Sequence, residues 1–257
     1  MNTDIFMDNL EKYVDPKAYD DTYQHYLIDV PLLSEWAKVQ GGIIVDLACG
    51  TGRVTLPLAE HGHRLIGVDI HEEMLELAKS KSEAKHLPIE WIRQDCTKLA
   101  LEIKSNMLFM TGNSFQHFLT NESQDALLKA IWNHLNYGGV FIFNTRFPNL
   151  KDLAEIYTTK EIYIDNLGRV VTEHTTETYN ALTQVLHCST TREIRDNGTD
   201  TYLETDRISL RYVYPLEMQR LLKQNGYEIV EVYSSWKKEE LSESSSEMVY
   251  VCRKSTV

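Results

Sequence analysis

Ile43-Ile44-Val45-Asp46-Leu47-Ala48-Cys49-Gly50-Thr51-Gly52-Arg53 is the stretch on which the fold turns. Its first five residues make a short apolar run, the pattern of a strand buried on both faces. An Asp-x-Ala-x-Gly-x-Gly turn follows. Small residues at 48, 50 and 52 let the backbone turn tightly and approach a ligand closely. Val54-Thr55-Leu56-Pro57-Leu58-Ala59 then resumes with helical spacing, and Pro57 falls near the first turn, where proline is tolerated.

Working outward, strands and helices alternate. Arg64–Asp69 reads as the second strand, and Met74, Leu75, Leu77 and Ala78 form a helical stripe. Ile89–Gln94 and Met107–Met110 are the third and fourth strands. Ala126–Leu135 is a helix, with Asn136-Tyr137-Gly138-Gly139 expected as its C-cap. Val140–Phe143 is the fifth strand. This order predicts an α/β fold, a doubly wound, Rossmann-like sheet. From about Glu161 to Tyr214 the pattern becomes Thr- and Tyr-rich with period 2, and Asp196-Asn197-Gly198-Thr199 is a hairpin signal. An antiparallel sheet of three or four strands is therefore expected as an insertion. A helix after Pro215, stopping at Asn225-Gly226, and two strands near 228–234 and 247–253 complete a seven-stranded core. The expected organisation is an N-terminal helical cap over 1–42, a ligand-binding core over 43–150 and 214–257, and an inserted β lobe over 151–213. The lobe is expected to serve as an acceptor lid or a dimer surface.

The 257 residues suit one large domain, or one core with a smaller lobe. There are 38 Asp+Glu against 26 Lys+Arg, a net charge of -12. Such a chain is poorly suited to a phosphate backbone or an anionic membrane surface. Residues 1–42 hold eight acids and three bases, 43–150 twelve and ten, and the remainder eighteen and thirteen. Cys49, Cys96, Cys188 and Cys252 make no metal-like spacing, so no metal site is expected. The start is acidic where a signal peptide is basic, and no stretch is long enough to span a bilayer. A cytoplasmic protein is the expectation.

Asp69 closes the second strand, where an acid can bind both hydroxyls of a ribose. Asp95 follows the third strand and can accept from an adenine amino group. Taken singly, Gly-x-Gly is usually a plain turn, and an isolated Asp usually caps a helix. Asp46, Asp69 and Asp95 at the carboxyl ends of three adjacent strands point together to a nucleoside-type ligand. A dinucleotide site wants Gly-x-Gly-x-x-Gly, and Thr55 stands at the third position. Asp46 would repel a pyrophosphate but suits a ligand bearing an ammonium group. S-adenosylmethionine is thereby favoured over NAD.

Asp46-Leu47-Ala48-Cys49-Gly50-Thr51-Gly52, Gly67-Val68-Asp69-Ile70, Gln94-Asp95-Cys96, Asn113-Ser114-Phe115-Gln116-His117-Phe118 and Leu135-Asn136-Tyr137-Gly138-Gly139 resemble the successive motifs of the class I S-adenosylmethionine-dependent methyltransferases. The branch is the small-molecule one with an inserted antiparallel sheet. The resemblance implies that Ala48, Gly50 and Gly52 pass under the methionine part of the cofactor. It implies that Asp69 holds the ribose, that Ile70 and Met74 line the adenine pocket, that Asp95 and the Cys96 backbone meet the adenine edge, and that Asn113 lies near the sulfonium. Arg53 and Asp46 complete the expected cofactor set. His117 is the candidate base or acceptor-orienting group. Tyr19, Tyr23 and Tyr26 share one helical face, an aromatic cap suited to a sulfonium, with Tyr19 the cofactor contact. Tyr23, Arg146, Arg211 and Tyr214 are candidate acceptor contacts. The expected activity is methyl transfer to a small molecule, releasing S-adenosylhomocysteine. A non-catalytic binder of the same cofactor and an NAD-dependent dehydrogenase are the alternatives. No Asn/Asp-Pro-Pro-aromatic segment follows strand four, so nucleic acid is not an expected acceptor. A monomer or homodimer is expected.

Overall fold

The computed structural model describes residues 9–149, 153, 156–165, 167–195 and 201–255. Its centre is a seven-stranded sheet. The strands are β1 (Ile43–Leu47), β2 (Arg64–Asp69), β3 (Glu90–Arg93), β4 (Ser105–Met110), β5 (Leu135–Arg146), β10 (Tyr227–Tyr233) and β11 (Glu247–Lys254). They lie in the order β10-β11-β5-β4-β1-β2-β3. β1 to β5 run parallel, and β11 is antiparallel to both β5 and β10. The order reverses at β1 and β4, so a crevice opens beyond their carboxyl ends.

Strand alternation sends residues to two cores. Ile44, Met107, Phe109, Val140 and Ile142 face one side with Leu33 and Ala37 of α2 (Val30–Gln40) and Leu58 of α3 (Thr55–Glu60). Val45, Leu108, Phe141 and Phe143 face the other with Leu127, Leu128 and Ile131 of α5 (Asn121–His134) and Met218 and Leu222 of α6 (Pro215–Gln224). α4 (Glu72–Ala84) packs on β2 and β3. α2, expected as part of the N-terminal cap, packs into the sheet's own core. Ahead of it the described residues include a 3-10 turn at Glu11–Tyr13 and α1 (Pro16–Tyr23). Asp15 starts α1 by accepting from Lys17 and Ala18 amides, with Pro16 in the first turn.

α5 begins at Asn121 rather than 126, because Thr120 and Ser123 form a capping box that extends it. Its other end also differs from expectation. Leu135 turns extended at once, and Asn136–Gly139 belong to an irregular start of β5 rather than to a helix cap. The last α5 carbonyls are instead met by Lys254, whose buried ammonium donates to Trp132 and Leu135 oxygens at 2.7 Å each.

The inserted lobe is a four-stranded antiparallel sheet of β6 (Tyr157–Ile164), β7 (Val170–Asn180), β8 (Val185–Arg195) and β9 (Thr201–Arg211), paired in sequence order. β8 and β9 pair antiparallel as the hairpin signal requires. Asp196-Asn197-Gly198-Thr199 itself lies outside the described residues. Among the described residues no helix is long and apolar enough to cross a membrane.

Candidate active site

A cavity of about 120 Å3 lies at the carboxyl ends of β1, β2 and β4. Ala48, Gly50, Asp69, Ile70, Met74, Asp95 and Cys96 line its base, Ser114, His117 and Phe118 one wall, and Asn9, Leu10, Tyr13 and Tyr19 its roof. The base follows from the sequence. Ala48, Gly50 and Gly52 have φ of 53, 54 and 76°, left-handed values that small residues reach most readily. Asp69 fixes the loop: its carboxylate accepts the Gly50 amide at 2.7 Å and the His71 amide at 2.9 Å. Burial raises its pKa, and those two backbone bonds work against the rise.

The two glycines serve different ends. A Cβ on Gly50 would meet nothing within 4 Å, so its face is open to the cavity. A Cβ on Gly52 would lie 2.8 Å from the Trp91 ring, which makes Gly52 a packing position away from the cavity lining.

Several sequence candidates stand elsewhere. Asp46 is buried behind the loop and accepts the Thr55 hydroxyl at 2.6 Å. Burial pushes its pKa up to about 8, opposed by that hydrogen bond. The folded state thus favours the protonated carboxyl. Asp46 adds to stability below its ordinary pKa, and the contribution is lost as pH rises toward 8. Asp46→Asn, which keeps an acceptor for Thr55, should raise the melting midpoint at pH 8, by about 2–4 °C per kcal/mol, and leave it unchanged at pH 4. Thermal melts at the two pH values check this.

Arg53 turns away from the cavity. It bonds Asp29 at 2.6 and 3.0 Å, the Thr111 hydroxyl at 3.2 Å and the Tyr26 carbonyl. Asn113, left-handed at φ 60°, exchanges two hydrogen bonds with Asn144 beside the cavity without lining it. Asp95 lines the cavity while also capping the 3-10 turn at Cys96–Lys98, accepting from the Thr97 amide and hydroxyl. Tyr19 is in the roof, its ring 4.7 Å from that of Tyr23, which stays outside. Arg211 is buried at the lobe junction, where it pairs with Glu217 at 3.1 Å, and Tyr214 caps α6 there. Arg146 bonds the Tyr212 side chain, which helps keep its guanidinium charged against burial. None of these last three lines the cavity.

His117 does. Its segment, Ser114–His117, is anchored by two fully buried neighbours. Phe115 packs 4.8 Å from the Phe143 ring, and Gln116 bonds the Arg211 carbonyl and the Arg146 amide. The imidazole Nε2 lies 3.0 Å from the Tyr13 hydroxyl. Burial lowers its pKa to about 4, so the ring is neutral at pH 7. The pairing with Tyr13 was not legible in the sequence, because Tyr13 falls outside the expected 19–23–26 series; that series is itself cut short, since α1 ends at Tyr23 and Tyr26 lies beyond it.

Asp20, on α1, ties the roof to the loop. One carboxylate oxygen accepts the Thr51 hydroxyl at 2.6 Å and the Lys81 ammonium of α4 at 2.7 Å. The donor set suits S-adenosylmethionine. The cradle is open at Gly50, Asp69 and Asp95 supply acceptors, and no Lys or Arg lines the described cavity to hold a pyrophosphate.

Residues 44–139 match a family described as a methyltransferase domain. Over 249 residues the chain is 23% identical to YqeM of Bacillus subtilis (strain 168), a protein named only provisionally as a methyltransferase. That match covers 93% of this chain and 95% of the relative. Among solved structures, the CcbJ methyltransferase of Streptomyces caelestis is similar with a TM-score of 0.76 at 22% identity, over 89% of this chain and 96% of that one. CalS10 of Micromonospora echinaspora, an amino pentose methyltransferase with S-adenosylmethionine bound, is similar with a TM-score of 0.73 at 18% identity, over 92% and 96%. Residues 44–139 are thus similar to a methyltransferase domain, and the chain as a whole shares the fold of these solved methyltransferases.

Proposed function

We propose that the protein transfers a methyl group from S-adenosylmethionine to a small-molecule acceptor carrying an amine or hydroxyl. The observation that carries this reading is the cavity itself. It joins a glycine cradle and two carboxylates, without Lys or Arg, to a wall bearing a neutral histidine. Its acidic lining and the chain's net charge of -12 favour a cationic cofactor and a neutral or cationic acceptor. A cavity roofed by Asn9, Leu10, Tyr13 and Tyr19 and lined by no Lys or Arg supports a small acceptor over nucleic acid or a membrane surface. A cytoplasmic monomer or homodimer is part of the same reading.

Bound S-adenosylmethionine supplies a methyl group already activated by its sulfonium. The chain's task is to hold the acceptor in line with it, and orientation alone accounts for much of such a barrier. In this reading Asp69 holds the ribose hydroxyls, while Ile70 and Met74 pack against the adenine and Asp95 meets its edge. The backbone of 48–50 underlies the methionine part. His117, its Nε2–H donating to the Tyr13 hydroxyl, orients the acceptor, and its free Nδ1 takes up the proton that the acceptor loses.

Transfer of labelled methyl from S-adenosylmethionine to a metabolite extract tests the reaction. Binding of S-adenosylhomocysteine without any transfer would establish a non-catalytic binder instead. His117→Gln should lower kcat by about 100-fold, the lower range of a proton-transfer group, with cofactor affinity unchanged. Because the ring stays neutral down to about pH 4, kcat/KM should show no histidine limb between pH 5 and 8. An equal loss of S-adenosylhomocysteine affinity would show that His117 acts on the fold.

A further inference from the structure

The roof is held by an uncommon device. Asn9 lies against the free edge of β9 and pairs with both polar groups of one residue. Its Nδ2 donates to the Ser209 carbonyl at 2.9 Å, and its Oδ1 accepts the Ser209 amide at 2.7 Å. Two residues along the same edge, the Glu11 carboxylate accepts the Arg207 amide at 3.0 Å. A side-chain amide has one donor and one acceptor spaced like those of a backbone, so Asn9 and Glu11 continue the β-ladder without being a strand. An edge strand otherwise leaves such groups to water.

The clasp has a target two residues further on. Tyr13 follows at the end of the same 3-10 turn, and its hydroxyl meets His117 Nε2 at 3.0 Å. Its ring lies 5.7 Å from the imidazole and 5.6 Å from the Tyr19 ring. Asn9 is 3% exposed despite its position in a turn-rich segment. With the segment seated, the cavity is about 120 Å3, well short of the roughly 300–1,000 Å3 typical of ligand pockets.

We infer that residues 9–13 are a removable strap, and that Asn9 and Glu11 are positioning residues whose clasp on β9 delivers Tyr13 to His117. Unclasping opens the cavity for entry and exit. Clasping rebuilds the Tyr13–His117 pair over the acceptor and excludes water. The part of this that concerns turnover rests on the methyl-transfer reading, and the clasp itself does not. Holding groups contributed by the inserted lobe also give that lobe a role: its β9 edge is the strap's seat.

The test uses the full chain and reads the strap without turnover. Cys96 lines the cavity, and Cys252, wholly buried in the sheet, is the internal control. Asn9→Ala removes both Ser209 bonds, worth about tenfold or more in the closed-to-open ratio. It should speed hydrogen exchange at the Ser209 amide and maleimide labelling of Cys96 by about tenfold, with Cys252 labelling and the melting midpoint unchanged. Asn9→Asp keeps the acceptor for the Ser209 amide and should fall between. Glu11→Gln keeps its acceptor and should match the parent. Where a methylated acceptor has been found, Asn9→Ala should lower kcat more than it raises the cofactor Kd. Unchanged Cys96 labelling in Asn9→Ala would overturn the strap, as would a Ser209 amide in the parent that exchanges as freely as an unstructured one. A chain with the clasp but no methyl transfer would fail the function while keeping the strap.

Discussion

Gly50→Arg should abolish S-adenosylhomocysteine binding while leaving the chain folded. Gly50 sits at φ 54°, and its missing Cβ points into open space within the cavity. An L-residue there takes on about 1–2 kcal/mol of backbone strain, an amount a domain of this size withstands. The arginine side chain would meanwhile occupy the cradle and place a cation where the cofactor brings its own. Calorimetry should show no heat with S-adenosylhomocysteine, beside a melting midpoint within a few degrees of the parent. Retained binding would show that the cofactor does not lie along this loop. Gly52 provides the contrast. Its Cβ would strike Trp91 at 2.8 Å, so Gly52→Ala should lower stability first and binding only as a consequence.

The second large effect is expected at Asp69. This carboxylate is 8% exposed, lines the cavity and accepts the Gly50 and His71 amides. Asp69→Ala therefore removes a ligand acceptor and loosens the loop that forms the cradle. Hydrogen bonds to a charged group contribute about 1.5–3 kcal/mol each, so affinity for S-adenosylhomocysteine should fall by at least about 100-fold. Asp69→Asn keeps an acceptor for the Gly50 amide without the charge and should lose about tenfold. Titration calorimetry on the pair decides the matter. Equal losses would mean that the loop anchor matters and the charge does not, and no loss in Asp69→Ala would remove Asp69 from the site.

The core was legible because its signals are local. Ile43–Leu47, Arg64–Asp69 and Met107–Met110 are short, mainly apolar runs consistent with a sheet covered on both faces, and each became a strand. The glycine loop could be read because backbone geometry restricts residue type, and Ala48, Gly50 and Asp69 were found around the cavity for that reason. Reading failed where partners are distant in sequence. Asp46 suited a ligand ammonium on charge alone, yet Thr55 on the next helix engages it. Arg53 follows the glycines directly but is drawn to Asp29. Arg211 and Glu217 close the lobe junction across a turn. Asn9 and Glu11 carry no periodic pattern, since their partners lie nearly two hundred residues on, at an edge that exists only once β9 has paired.

The antiparallel strand β11 has a consequence for the order in which the molecule is made. β5 ends at Arg146, and its outer edge is covered only by residues 247–254. At ribosomal rates of about 5–20 residues per second, that edge waits on the order of ten seconds for its neighbour, with Phe141 and Phe143 beside it. The inserted lobe emerges during this interval, and its strands pair only with adjacent hairpin partners. It can be assembled before the sheet it interrupts is closed. All four lobe strands are thus available before β11, the eight-residue strand that closes the sheet and carries Lys254 to the end of α5.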